Sequence, residues 1–314
     1  MKTFLYILLS VTFLFFGSVY LFIPAEIVIS KAEQVESSER VLAQSLNNVL
    51  DITKWWPGEK GDAAGTDSSL LKLNGLTYKV GSSNYNFKKV VISSGTSNYN
   101  STITWIPRAD NIVHVGWITT IKASNNPFKR IIQYQEARKI KANMLIVIEH
   151  LLSFVINSNN VYGYKFERQT VKDTILATAS ITGPTYPDTR KVYQLINSVK
   201  IYVSDQNAIQ VNAPMLNISK DPSGIYRATV AIPINKEIKP NKTIVINHMV
   251  AGNILVAEIK GGPNSIAGGF KQMNIYLKDF KLTSPAMPFE SLVTDRSSEP
   301  DTSKWITRIY YPIL

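Results

Sequence analysis

The feature that most constrains this fold is an internal repeat in the second half of the chain. One interval of 79 residues separates Ile175-Leu176 from Ile254-Leu255, Gly183-Pro184 from Gly262-Pro263, and Pro233-Ile234 from Pro312-Ile313. Each copy reads as a strand, a Gly-Pro turn, a helix and two strands, with the helices expected near 189–199 and 266–280. The repeat predicts two βαββ halves, at about 162–236 and 241–314, that join their sheets and leave a groove between their helices.

The N-terminal segment is strongly apolar. Residues 4–23 carry no charge, and as a helix they would span about 30 Å, the thickness of one hydrocarbon core. The apolar run is longer than that of a cleaved signal peptide. We therefore expect residues 1–24 to form a transmembrane anchor. Lys2 is the one charge before it, which predicts a single-pass membrane protein whose soluble domains, from Ala25 onward, are periplasmic.

Between the anchor and the repeat, the pattern is strand, helix, several strands and a long helix. Apolar positions predict a strand at 26–29, a helix after Ser37-Ser38 and a long, deeply buried helix at 130–157. The β-type runs between the helices suggest one antiparallel sheet that cradles the long helix, and they lie at 70–73, 76–80, 87–93, 101–106 and 112–121. The predicted fold class for the whole chain is α+β.

The order of elements in residues 25–158 resembles the START-like superfamily, also called SRPBCC or polyketide cyclase-like. The resemblance rests on that order and on the opening stretch from Ser37, Val41 and Leu46 to Asp51 and Trp55-Trp56-Pro57. It implies a helix-grip domain whose sheet and long helix enclose an apolar cavity for a small hydrophobic ligand. A filled core of the same shape is the alternative.

The chain ends with Met287-Pro288-Phe289-Glu290, then Asp295 and Glu299 to Trp305, then Ile306 to Ile313. With this ending, residues 159–314 resemble the GyrI-like domains, the effector-binding domains of AraC-type and multidrug-sensing regulators. The resemblance implies two tandem βαββ repeats with a ligand pocket in the central groove, where a glutamate meets cationic or polar aromatic compounds. By motif position this glutamate is Glu290. The chain departs from the family at Leu292, where many members have tyrosine.

These motifs give the candidate ligand-binding residues Glu290, Trp305, Tyr310, Tyr311 and Trp56. A desolvated carboxylate at Glu290 would attract a ligand cation, and the aromatic residues could complete a cage around it. Alternation along a strand places Tyr310 and Tyr311 on opposite faces, so at most one of them is expected to line the groove. A solvent-exposed strand carboxylate at Glu290 and a core-packing role for Trp56 are the alternatives.

Other chemistries find little support in the sequence. The chain has no cysteine, its histidines are far apart, and it has neither a phosphate-binding glycine loop nor a G-x-S-x-G motif. We expect no catalytic residue, no metal and no cofactor. The net charge of +11 comes from scattered lysines rather than a dense basic run, so we expect no nucleic-acid partner. The oligomeric state stays open.

The sequence leaves three hypotheses for function. The leading one is a membrane-anchored, non-catalytic binding protein for a small amphipathic or aromatic molecule. The second is a hydrolase or cyclase acting on a small electrophile in the GyrI-like groove, which Glu290→Gln should abolish. The third is an envelope scaffold protein whose cavities are filled.

Overall fold

The computed structural model describes residues 2–47, 49–60, 70–109, 111–171 and 175–314. The chain divides into two compact units, Met1–Asn157 and Ser158–Leu314. Each unit contains an antiparallel sheet and packs its helices on it. This architecture confirms the predicted α+β class.

The first unit begins with a helix and contains most of the strands predicted from alternation. The strands expected from residue 70 to residue 121 are confirmed, and several extend further because Ser and Asn residues at their ends also pair across the sheet. The elements are α1 (Lys2–Phe22), β1 (Glu26–Glu36), α2 (Glu39–Asn47), α3 (Val49–Trp55), β2 (Glu59–Lys60), β3 (Leu70–Leu73), β4 (Leu76–Asn84), β5 (Phe87–Ser94), β6 (Ser97–Pro107), β7 (Ile112–Lys122) and α4 (Pro127–Ile156).

The sheet of the first unit has the order β1-β7-β6-β5-β4-β3-β2. Its first strand pairs with its last over eleven residues, from Glu26 opposite Lys122 to Glu36 opposite Ile112. The long helix α4 packs on β1 and β7 and buries Ile140, Met144 and Leu151. The structure thus contains the predicted long buried helix on a sheet, while the resemblance to START-like proteins stays a prediction.

The prediction of a transmembrane anchor at residues 1–24 is wrong. Within the described ranges, no helix combines the length and the apolar character needed to cross a bilayer. This overturns the expectation of a single-pass membrane protein with periplasmic domains. Two contacts connect the end of α1 and the residue after it to the start of α4 and the segment before it. The Tyr20 hydroxyl donates to the Asn125 carbonyl at 2.6 Å, and the Arg130 guanidinium donates to the Ile23 carbonyl at 2.6 and 2.9 Å.

The second unit contains two runs of the same element order. Each run is strand, helix, strand, strand: β9-α6-β10-β11 is followed by β13-α7-β14-β15. The elements are α5 (Ser158–Tyr162), β8 (Glu167–Val171), β9 (Ile175–Gly183), α6 (Thr189–Asp205), β10 (Met215–Lys220), β11 (Tyr226–Ile234), β12 (Val245–His248), β13 (Gly252–Lys260), α7 (Pro263–Asp279), β14 (Phe289–Leu292), a 3₁₀ turn (Thr302–Lys304) and β15 (Ile306–Ile313).

One continuous sheet joins the two runs, in the order β12-β9-β11-β10-β14-β15-β13-β8. The join is the short antiparallel pairing of β10 with β14, in which Leu216 lies opposite Glu290 and Met215 opposite Ser291. On the other side, β14 pairs with β15, which places Glu290 opposite Ile309. Glu290 is therefore at the seam between the two halves.

Each of the two long helices of the second unit covers its own half of the sheet. Helix α6 packs on β9 and β11 through Val192, Ile196 and Val199, and helix α7 packs on β13 and β15 through Ile266 and Met273. The two hydrophobic clusters share no residue. The first turns of both helices lie near the seam, which leaves space between them.

Candidate ligand-binding site

The second unit has a cavity of about 400 Å³ at the seam of its sheet. Its walls come from the start of α6 and the segment before it, from the first half of α7, and from β10, β14, β15 and the segment between β14 and β15. Aromatic side chains dominate these walls, and they are Tyr186, Tyr193, Phe270, Phe289, Trp305 and Tyr311. The volume lies within the usual range of small-molecule pockets, roughly 300–1,000 Å³.

The charged groups in the wall are Glu290 and Arg296, and they form an ion pair. Arg296 Nη2 donates to Glu290 Oε2 at 2.9 Å, and the two side chains are only 10% and 15% exposed. Arg296 Nη2 also donates to Thr307 Oγ1 at 2.8 Å. A part-buried, hydrogen-bonded pair of this kind is held more firmly than a surface pair, because solvent screens it less. The charges of Glu290 and Arg296 cancel locally.

Trp305 also contacts Arg296, through its indole ring. The guanidinium carbon of Arg296 lies 4.8 Å from the centre of the indole ring, a cation–π distance. The indole is itself fixed, because Trp305 Nε1 donates to the Glu299 carbonyl at 2.9 Å and the Trp305 carbonyl accepts from the Gly261 amide at 2.8 Å. Arg296 Nε is buried and has no hydrogen-bond partner among the described residues.

The turn that carries Arg296 is tied to the first half of the unit. The Tyr193 hydroxyl, on α6, accepts from the Arg296 amide at 2.7 Å and donates to the Thr294 carbonyl at 3.3 Å. Within the turn, Asp295 Oδ1 accepts from the amide and the hydroxyl of Ser297. These Ser297 bonds lower the pKa of Asp295, so the turn is stabilised by an ionised carboxylate. Both repeats thus position the arginine.

The tyrosines around the cavity have raised pKa values. Burial is the first cause for Tyr186, Tyr193 and Tyr311, since a desolvated phenolate is disfavoured. At Tyr186 the negative charge of Glu290 raises the pKa further, while the positive charge of Arg296 lowers it. These hydroxyls therefore stay neutral at physiological pH and can act as hydrogen-bond donors and acceptors.

The residues predicted at the C-terminal end occupy different places. Glu290, Trp305 and Tyr311 line the cavity, and Tyr311 contacts Phe270 with its ring centre 5.9 Å away. Tyr310 points to the other face of β15 and stacks on Phe289 at 4.9 Å, so it does not line this cavity. The structure brings three of the four together.

Trp56 lies in the first unit and is 9% exposed. Its ring contacts Tyr78 with the centres 5.1 Å apart, and its Nε1 donates to the Lys72 carbonyl at 3.1 Å. Tyr78 in turn accepts from Asn143 Nδ2 of α4 at 2.9 Å. Through these contacts Trp56 packs in the core of the first unit. It does not line the cavity that contains Glu290.

The cavity wall also contains four residues that were not among the predicted ligand-binding residues: Arg296, Tyr186, Tyr193 and Phe270. Arg296 follows Glu290 by only six residues, and that proximity was the available signal. The two are too far apart along an extended strand to meet, and the turn after β14 is what brings them together. Tyr186 lies between the first Gly-Pro turn and α6, and Phe270 lies in the first half of α7, so the repeat does not align the two residues.

A second cavity, of about 620 Å³, lies on the other face of the same sheet. Leu176, Thr178 and Ala231 line it, whereas the alternate residues Ala177 and Ile232 face helix α6. The turn at 247–252 and the segment at 285–287 border it. Three residues of the seam line both cavities, and they are Leu216, Asn217 and Phe289.

No protein-family model matches the chain, and no curated protein matches it. Solved structures that resemble it include the C-terminal domain of EcmrR, with 15% identity over 48% of this chain and 98% of that one and a TM-score of 0.42. SAV2435 bound to tetraphenylphosphonium has 15% identity over 48% and 94%, with a TM-score of 0.33. A hydrolase from Listeria innocua has 11% identity over 48% and 92%, with a TM-score of 0.37. Likenesses this weak carry no weight for function.

Proposed function

We propose that the second unit binds a small aromatic molecule in the cavity at the seam of its sheet. The observation that carries the proposal is the cavity itself: about 400 Å³, with six aromatic side chains in its walls and the Glu290–Arg296 ion pair facing it. Aromatic rings bury large apolar areas and favour ring-on-ring contacts with a ligand. Pockets that are mostly apolar, with few and well-placed polar groups, are typical of small-molecule sites.

The order of elements supports a finer proposal, that this unit belongs to the GyrI-like class. The strand-helix-strand-strand order occurs twice, and the two halves meet beside the glutamate that the sequence motif singles out. In such an arrangement each half supplies one helix and part of the sheet to a shared groove. The cavity then depends on both halves, and its ligand would contact residues from each.

A direct test uses two aromatic ions of nearly equal size and opposite charge, tetraphenylphosphonium and tetraphenylborate. Each is titrated into the full chain by isothermal calorimetry. We expect saturable binding of at least one ion with a stoichiometry near one. In Ala267→Trp, a new ring would fill the cavity from an exposed position on α7, and we expect affinity to fall by about tenfold or more.

The matched control is Ala286→Trp, which adds the same ring at the border of the opposite cavity. Binding should persist there with little change. If Ala286→Trp removes binding and Ala267→Trp does not, the ligand occupies the other face of the sheet and the proposal is wrong. Absence of saturable binding of both ions by the wild-type chain would also contradict it.

A further inference from the structure

The guanidinium of Arg296 occupies the place that a cationic aromatic ligand would take in this cavity. It lies between a carboxylate, Glu290, at 2.9 Å and an aromatic ring, Trp305, whose centre is 4.8 Å away. A counter-charge on one side and a π-face on the other are the two elements of a cation-binding site. In this chain both are already used by a side chain of the protein.

We propose that Arg296 is a built-in occupant of the cation subsite, and that the cavity therefore selects aromatic molecules without a positive charge. The inference rests on the proposed function and names the class of ligand for the same site. The sequence predicted that Glu290 would attract a ligand cation, and the present proposal reverses that expectation. The carboxylate is present as expected, but its charge is neutralised within the protein.

Several contacts hold the arginine in place. Its amide donates to the Tyr193 hydroxyl, its Nη2 donates to both Glu290 and Thr307, and its guanidinium lies over Trp305. A cation that entered the subsite would have to break the contacts of the side chain and move a positive charge aside. A cation elsewhere in the cavity would find no net counter-charge, because Arg296 already neutralises the Glu290 carboxylate.

A neutral or anionic ring does not meet this obstacle. It can use the aromatic walls while the ion pair stays intact, and an anionic group would be drawn towards Arg296 and away from Glu290. Among the other polar groups of the wall, the hydroxyls of Tyr186, Tyr193 and Tyr311 are neutral and can serve either kind of ligand. Arg296 is thus the residue that sets the charge preference.

The experiment measures both tetraphenyl ions by calorimetry on the full chain, in the wild type and in Arg296→Met. Methionine keeps an unbranched apolar stem but leaves the Glu290 carboxylate and the Trp305 ring free. For the wild type we expect tetraphenylborate to bind at least about tenfold more tightly than tetraphenylphosphonium. In Arg296→Met we expect this order to reverse, with the phosphonium gaining at least about tenfold.

Two further variants assign the effect. In Arg296→Met/Glu290→Gln the subsite has no charge, so the gain for the phosphonium should disappear. Arg308→Met removes an arginine from an exposed pair, Arg308 with Glu258, in which both side chains are about half exposed, and it should leave the preference of the wild type unchanged. Thermal unfolding of each variant reports whether the fold is intact.

The outcomes separate the two proposals. If the wild type already binds the phosphonium as tightly as the borate, or if Arg296→Met leaves the ratio unchanged, Arg296 does not set the preference, while the proposed function stands. If neither ion binds the wild type or any variant, the proposed function itself fails. Should Arg296→Met not fold, the ratio measured in the wild type still decides the inference.

Discussion

At the scale of single residues, burial changes the chemistry of Tyr78. The side chain is fully buried between Trp56 and Trp117, and its hydroxyl accepts a hydrogen bond from Asn143. Burial raises its pKa to about 12, from an ordinary value of 10.0, and the Asn143 bond offsets only part of this rise. The native state therefore holds the phenolic proton more tightly than the unfolded chain does.

This shift predicts a loss of stability at alkaline pH. The contribution of Tyr78 to stability is fully present below about pH 10 and is lost as the pH rises through 12. By pH 12 the loss of unfolding free energy amounts to about 2 kcal/mol. In Tyr78→Phe the fall of unfolding free energy between pH 10 and pH 12 should be shallower, as measured by urea unfolding at fixed pH. Tyr85→Phe, at a position that is 76% exposed, is the control and should follow the wild type. Equal slopes for the wild type and Tyr78→Phe would contradict the prediction.

Some residues of the cavity could be predicted from the sequence, and others could not. Glu290 and Trp305 could be found because a linear motif marks them. Arg296 could not be assigned to them, because its position depends on a turn whose geometry comes from Asp295, Ser297 and the hydroxyl of Tyr193, a residue about 100 positions earlier. A pattern of residue types gives the carboxylate but not its partner, and the partner decides the charge of the site.

At the scale of elements, periodicity predicted the long helix and most of the strands, but it placed the start of α4 at residue 130, three residues late. Helix α4 begins at Pro127 because Asn126 accepts from the amides of Phe128 and Lys129. The seam between β10 and β14 was not predictable in detail, since it is a pairing of two residues from each strand and no repeat marker falls there. Short pairings leave a weak signal in sequence.

The Asn126 cap gives a prediction for α4. Asn126→Ala should lower the free energy of unfolding of the first unit by about 1 kcal/mol, because two amides at the helix start lose their acceptor. Chemical unfolding followed by circular dichroism measures it. The neighbouring Asn125→Ala serves as control. Asn125 accepts a hydrogen bond from Tyr20 through its backbone carbonyl, which alanine keeps, so this substitution should lower the free energy of unfolding less. A larger loss for Asn125→Ala would show that the cap is not the cause.

Helix α7 approaches its sheet closely at Gly269. A Cβ there would lie 2.7 Å from Ile259 Cδ1 and 3.2 Å from Ile309 Cδ1, both in the core. We expect Gly269→Val to destabilise the second unit by about 2 kcal/mol, because the added methyl groups have no room. Ala267→Val, at an exposed position of the same helix, should cost about 0.5 kcal/mol from helix propensity alone. Denaturant unfolding compares the two, and equal losses would refute close packing at Gly269.

At the scale of the whole molecule, each unit buries its own core. The clusters around α6 and α7 consist of residues from Ser158–Leu314, and the buried residues of α4 pack on strands of Met1–Asn157. Of the five tryptophans, Trp305 alone belongs to the second unit. The chain therefore carries a natural spectroscopic marker for that unit.

This division predicts two separable unfolding transitions. Gly269→Val should shift only the transition that Trp305 reports, and Asn126→Ala only the other. Denaturant titration by fluorescence of the wild type and of Trp305→Phe identifies which signal belongs to which unit. A single transition that both substitutions shift equally would contradict independent cores.

The parts of the proposed binding site that determine its volume and its charge come from different lengths of chain. Both repeats build the walls of the cavity, whereas its carboxylate, its arginine, the threonine that holds the arginine and the tryptophan beneath it all fall within residues 290–307. Evolution could therefore exchange the preference for anions or cations by altering one short hairpin. The remaining scaffold would be inherited unchanged, so relatives with the same backbone could recognise oppositely charged compounds.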